Sequence, residues 1–87
     1  MIRPNITVYV SNWCPYCQRA KQLLTQKGLV FSEINVEDEA KFREEMTARS
    51  GRRTVPQIFI GDKHIGGCDD LFALDRSGEL DRISQGA

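Results

Sequence analysis

Hydrophobic and polar positions change period along this 87-residue chain, and each change marks an element. In residues 5–10, Ile6, Val8 and Val10 alternate with Thr7 and Tyr9. A period of two in β-branched residues predicts a buried strand. After Pro15 the period lengthens. Cys17, Ala20, Leu23 and Leu24 fall on one face of a helix, and Gln18, Arg19, Gln22 and Gln26 on the other. Gly28 supplies the stop, because glycine enters the left-handed backbone that ends many helices. Residues 30–36 read as a second strand with Phe31 and Ile34 among its apolar positions. A second helix is expected over roughly 38–49, with Asp38 and Glu39 in its first turn and Phe42 and Met46 one turn apart.

After Gly51 the short period returns. Residues 55–60 read as a strand that begins beside Pro56, Gly61-Asp62 as a two-residue turn, and 63–67 as the returning strand. Asp69 and Asp70 then open a last helical region whose inner side carries Leu71, Phe72, Leu74, Leu80 and Ile83. The order is β-α-β-α-β-β-α. Residues 5–36 form a β-α-β unit, so their strands should be parallel with a right-handed crossover. The expectation is an α/β fold in one domain, 1–87: a four-stranded mixed sheet flanked by helices.

Charge removes some functions from consideration. With 12 basic and 12 acidic residues, the chain has no electrostatic footprint for nucleic acid or an anionic membrane. The longest apolar runs are strand-length, far short of a span, and the N-terminus lacks the apolar core of a secretory leader. The expected location is cytoplasmic. Three cysteines are too few, and odd in number, for a secreted disulfide scaffold.

Chemistry concentrates in "SNWCPYCQRAK", residues 11–21. Cys14 falls at a strand-to-helix junction, where unpaired N–H groups and the positive end of the helix dipole stabilise a thiolate. Pro15 suits the first helical position. Cys17 lies one turn further in, on the apolar face, at a spacing that satisfies disulfide geometry. Cys14 is then an attacking thiol and Cys17 a shielded resolving thiol. Three other readings compete: a zinc site from Cys14, Cys17, His64 and Cys68, an inert buried pair, and an iron–sulfur ligand pair that would need a second chain and an outside thiol. The helix opening after a buried strand argues against a zinc knuckle, and the polar neighbours of Cys14 argue against an inert pair.

At this point the chain resembles the glutaredoxins, in the thioredoxin-like superfamily, over nearly its whole length. The resemblance rests on "CPYC" at 14–17, "TVPQIFI" at 54–60 and "GGCDD" at 66–70, in that order and spacing, and is closest to the small bacterial dithiol members. It implies a thioredoxin-like fold and a glutathione-dependent thiol–disulfide oxidoreductase. Such an enzyme reduces protein disulfides and protein–glutathione mixed disulfides. It holds no bound cofactor or metal, takes glutathione as reducing co-substrate, depends indirectly on glutathione reductase, and acts as a monomer. It also implies a cis bond between Val55 and Pro56.

The implied glutathione site uses Cys14 for the sulfur, the Val55 backbone beside Thr54 and Pro56 for the peptide, and the start of the last helix at Gly67, Cys68 and Asp69 for the γ-glutamyl end. Tyr16 lines the groove. The glycyl carboxylate needs a cation. Ser11 stands where many members of the family carry lysine, and Arg52 is the expected substitute, ahead of Arg53. Trp13 directly before Cys14 resembles thioredoxins. It is either a flat lip for protein substrates or an aromatic packed beside the loop. A thioredoxin-like reductase recharged by a flavoprotein is the rival reading. His64 is expected as an exposed hairpin residue and Cys68 as a small residue fitted to the glycine-rich turn. Tyr9 and Phe59 should be packing residues, and the charged run at 37–45 a solvated helix face.

Overall fold

The computed structural model describes residues 5–84. The ends of the expected 1–87 domain, residues 1–4 and 85–87, lie outside the described residues.

Strand β1 (Ile6–Val10) pairs in parallel with β2 (Ser32–Asn35) on one side and antiparallel with β3 (Gln57–Ile60) on the other. Strand β4 (Lys63–Gly66) closes the sheet against β3, giving the order β2-β1-β3-β4. The alternation read in 5–10 becomes two buried faces. Ile6, Val8 and Val10 join Ile58 and Ile60 under helix α1 (Pro15–Gln26), helix α3 (Cys68–Arg76) and helix α4 (Glu79–Ser84). Tyr9 and Phe59 point to the opposite face and pack with Val36 and Met46, the latter from helix α2 (Ala40–Ser50). The face of α1 predicted to be apolar is the buried one: Cys17, Ala20, Leu23 and Leu24. Gly28 ends that helix at φ 71°. Lys27 beside it bridges to Asp75 at 2.9 Å and Asp81 at 2.8 Å, tying the end of α1 to the C-terminal helices.

Four element boundaries differ from the pattern; one is strand β3, which begins at Gln57 and not at Val55. Strand β2 begins at Ser32, and Val30 is exposed, because pairing with β1 reaches only from Thr7 to Val10. Helix α2 begins at Ala40. Glu39 is its extended N-cap and Asp38 precedes it, so neither sits in the first turn. The last helical region is two helices, α3 and α4, divided around Ser77 and Gly78. Of the expected inner residues Leu71 and Leu80 are buried, and Phe72, Leu74 and Ile83 are partly buried against the same core. Among the described residues no helix is long and apolar enough to cross a membrane.

Candidate active site

Cys14 is the N-cap of α1, with extended backbone, and Pro15 takes the first helical position. The backbone N–H of Cys17 donates to Cys14 Sγ at 3.1 Å. The two sulfurs are joined as a disulfide, with Cα atoms 5.2 Å apart. Their surroundings differ. Cys17 is buried among the α1 core residues, whereas Cys14 is partly exposed at the surface. The chain enters this turn through Trp13, which holds a left-handed φ of 56° and is 98% exposed. The packed alternative for Trp13 is thereby corrected: a side chain this exposed packs on nothing. Tyr16, also exposed, stands on the other side of Pro15.

Beside Tyr16 runs a groove of about 200 Å³. Arg52, Thr54, Val55, Pro56 and Gln57 form one wall, and Gly67, Cys68, Asp69 and Asp70 at the start of α3 form the other. All eight residues expected outside the redox pair (Tyr16, Arg52, Thr54, Val55, Pro56, Gly67, Cys68 and Asp69) meet here, although they come from three separate segments. The Val55–Pro56 bond is cis.

The α3 wall depends on Gly66, Gly67 and Asp70. The Asp70 carboxylate accepts from the Gly67 N–H at 3.0 Å, capping the helix from its third residue. Gly66, at φ 122°, leaves room for that carboxylate. Burial pushes the Cys68 thiol up, and the Asp69 carboxylate pushes it the same way, against an opposing pull from Arg19. Cys68 is therefore less ready than a free cysteine to form a thiolate.

Arg52 reaches into the groove but is engaged, with Nη1 3.5 Å from Asp70 Oδ2. Both groups are about half exposed, so the pair is worth about 0–1 kcal/mol and opens readily for another carboxylate. Arg53 faces the opposite way, in a separate hollow beside α2. Ser11 is not in the groove wall; it lies in a shallow depression with Asn12 and Trp13.

Two residues with roles here lie inside the motifs but outside the expected set of site residues. Asp70 is one; its spacing from Gly67 is that of a capping residue. The other is Gln57, the one polar side chain buried in the core of the described residues. It donates to the Thr54 carbonyl at 3.0 Å and to Thr54 Oγ1 at 3.3 Å, and its own carbonyl lies 2.7 Å from His64 Nε2. The signal was a glutamine standing two residues before Phe59, hence on the same inward face of an apolar strand.

His64 corrects the expectation of an exposed hairpin residue. It is partly buried, stacked on Phe59 with ring centroids 4.9 Å apart, and fixed by Gln57. Burial lowers its pKa, as does the Arg52 guanidinium, against an opposing pull from Asp70. Turned toward Gln57, it does not join the cysteines. Among the described residues no three His, Cys, Asp or Glu side chains are grouped to hold a metal ion. Tyr9 and Phe59 pack edge to face, as expected of strand residues. Tyr9 also donates to Glu45 and accepts from Arg49 at 2.9 Å.

Comparison with known proteins places this geometry. The family model described as Glutaredoxin matches residues 6–65. Glutaredoxin 3 of Escherichia coli K12 is 58% identical over 79 residues, covering 91% of this chain and 95% of that protein. The solution structure of glutaredoxin from Brucella melitensis superposes with a TM-score of 0.83 at 49% identity, covering 98% of this chain and 94% of that one. A buckwheat glutaredoxin–glutathione complex superposes with a TM-score of 0.87 at 34% identity, covering 95% of this chain and 78% of that one.

Proposed function

Because the chain belongs to the glutaredoxin family, and so is a glutathione-dependent thiol–disulfide oxidoreductase of thioredoxin-like fold, we propose that Cys14 is its nucleophile and Cys17 its resolving thiol. The observation that carries the assignment is the asymmetry of the pair. Cys14 caps a helix and takes an N–H on its sulfur, while Cys17 is buried.

The Cys17 N–H and the positive end of α1 stabilise Cys14 as thiolate. The Cys14 thiolate attacks one sulfur of a substrate disulfide, and the other sulfur leaves as thiolate. Cys17 then attacks the Cys14 sulfur, forming the internal disulfide and releasing the second substrate thiolate. A glutathione thiolate reopens that bond at Cys14. A second glutathione attacks the sulfur of the bound one, leaving glutathione disulfide and the Cys14 thiolate. With a glutathionylated substrate, Cys14 takes the glutathionyl group directly and Cys17 is idle. Stabilising the Cys14 thiolate serves it as nucleophile near neutral pH and as leaving group.

The groove beside Tyr16 is our proposed glutathione site. The Val55 backbone pairs with the tripeptide as a short strand. The γ-glutamyl carboxylate lies beside Gly67 on the N–H groups of Cys68 and Asp69 at the start of α3, where helix geometry favours an anion. The Asp69 carboxylate takes the ligand amine. Arg52 exchanges Asp70 for the glycyl carboxylate, and Thr54 and Pro56 shape the wall. Protein substrates approach over the exposed Trp13. The whole chain, 1–87, works as one monomeric domain in the cytoplasm, with glutathione reductase restoring its co-substrate.

The test is steady-state turnover of a disulfide substrate with glutathione, glutathione reductase and NADPH, compared with turnover under thioredoxin reductase and NADPH. Turnover with the first system and none with the second is expected. The reverse would establish the thioredoxin-like rival.

A further inference from the structure

The proposed glutathione site asks the Val55 N–H to face the ligand, and the structure contains a device that would fix it. Thr54 C=O and Val55 N–H belong to one peptide unit. That unit is rigid and trans, so its carbonyl and its N–H point in opposite directions. Whatever holds the Thr54 carbonyl therefore sets the direction of the Val55 N–H. The Gln57 side-chain amide holds it at 3.0 Å, from inside the protein. Among the described residues no backbone carbonyl outside the helices and strands accepts from the Val55 N–H, and Val55 itself lines the groove.

A side-chain amide could flip and present its oxygen to the Thr54 carbonyl, which would repel it. The other end of the amide prevents this. His64, on the neighbouring strand, places Nε2 2.7 Å from Gln57 Oε1. Because Gln57 uses its nitrogen on Thr54, its oxygen must accept, and the proton lies on His64 Nε2. His64 itself packs on Phe59, its ring tilted by 32°. The relay runs from β4 through Gln57 to the Thr54–Val55 peptide, and it is fully satisfied: among the described residues no buried side-chain nitrogen or oxygen lacks a partner.

We infer that Gln57 and His64 are positioning residues for glutathione recognition. By gripping the Thr54 carbonyl they orient the Val55 N–H toward the ligand backbone, without touching the reacting sulfurs. This inference rests on the glutathione site proposed above and deepens it.

The experiment uses the full chain and a glutathionylated peptide as substrate, with glutathione, glutathione reductase and NADPH. KM and kcat are measured for wild type, Gln57→Leu, His64→Leu and His64→Gln, together with the rate at which iodoacetamide alkylates Cys14 in the reduced protein. Gln57→Leu and His64→Leu should raise KM about fivefold, the effect of one misaimed hydrogen bond. Their kcat and alkylation rates should stay within about twofold of wild type. His64→Gln restores a donor to Gln57 Oε1 and should bring KM back to within about twofold of wild type. His64 lies at the outer end of the relay, so its two variants decide the question even if Gln57→Leu does not fold. A wild-type KM in His64→Leu would overturn the inference. So would a His64→Gln variant no better than His64→Leu, or alkylation that falls in step with the rise in KM. Lack of turnover by the wild type would instead overturn the site proposed above.

Discussion

The Asp70 carboxylate occupies the space that a side chain at Gly66 would need. An added Cβ there would lie 2.7 Å from Asp70 Cγ and closer still to Oδ2. The same carboxylate caps α3 through the Gly67 N–H and pairs with Arg52. Gly66→Ala should therefore cost about 1–3 kcal/mol, from strain at φ 122° and from the collision. Urea unfolding measures it. If displacement of Asp70 is part of the cost, Asp70→Ala will be less damaging in the Gly66→Ala background than in wild type. Equal effects in both backgrounds would assign the whole cost to the backbone.

His64 makes stability depend on pH in a defined direction. Its folded pKa is lowered from 6.5, chiefly by burial, with Arg52 adding to the effect and Asp70 opposing it. Between the folded and unfolded values the unfolded chain binds more protons. The contribution of His64 is then complete above about pH 6.5 and is lost as pH falls through the folded value. The urea midpoint should drop as pH is lowered from about 7.5 to about 5.5, and drop less steeply in His64→Gln. Parallel slopes for the two proteins would show that His64 is not the group responsible.

The asymmetry of the cysteines separates two activities. Cys14→Ser should have no turnover above background with any substrate. Cys17→Ser should reduce a glutathionylated peptide within about threefold of wild type, yet fail on a substrate that needs both thiols. Equal loss of both activities in Cys17→Ser would reverse the role assignment.

Trp13 contributes nothing to the core, and its proposed role is contact with protein substrates. Trp13→Ala should leave the thermal midpoint within about 1 °C, because removing an exposed side chain costs little. Turnover of a protein disulfide should fall about fivefold through KM, while a short glutathionylated peptide is unaffected within about twofold. Unchanged kinetics on the protein substrate would remove the lip.

Much of this architecture was legible because one physical rule acted at a time. Period two in 5–10 and the apolar stripe of Cys17, Ala20, Leu23 and Leu24 need only burial to be understood. Cys14 could be placed at a helix N-terminus because Pro15 follows it. Legibility failed where a distant partner decides. Val30 is β-branched and suits a strand, but β1 offers it no partner. Asp38 and Glu39 look like a first turn, but residues 36–38 form a separate turn and Glu39 is extended before Ala40. His64 was read as exposed because its partner, Gln57, lies seven residues back on another strand. Three short motifs located the groove, and two of the residues bracing it, Gln57 and Asp70, are letters of those motifs, while His64 stands outside them.

The single tryptophan of the chain stands in water, one residue before Cys14. With no core to leave, its indole should emit at the wavelength of tryptophan in water whether the protein is folded or unfolded. Its brightness is another matter, since a neighbouring disulfide quenches an indole more than a pair of thiols does. The protein thus carries a built-in optical gauge of its own oxidation state, one whose colour is indifferent to folding.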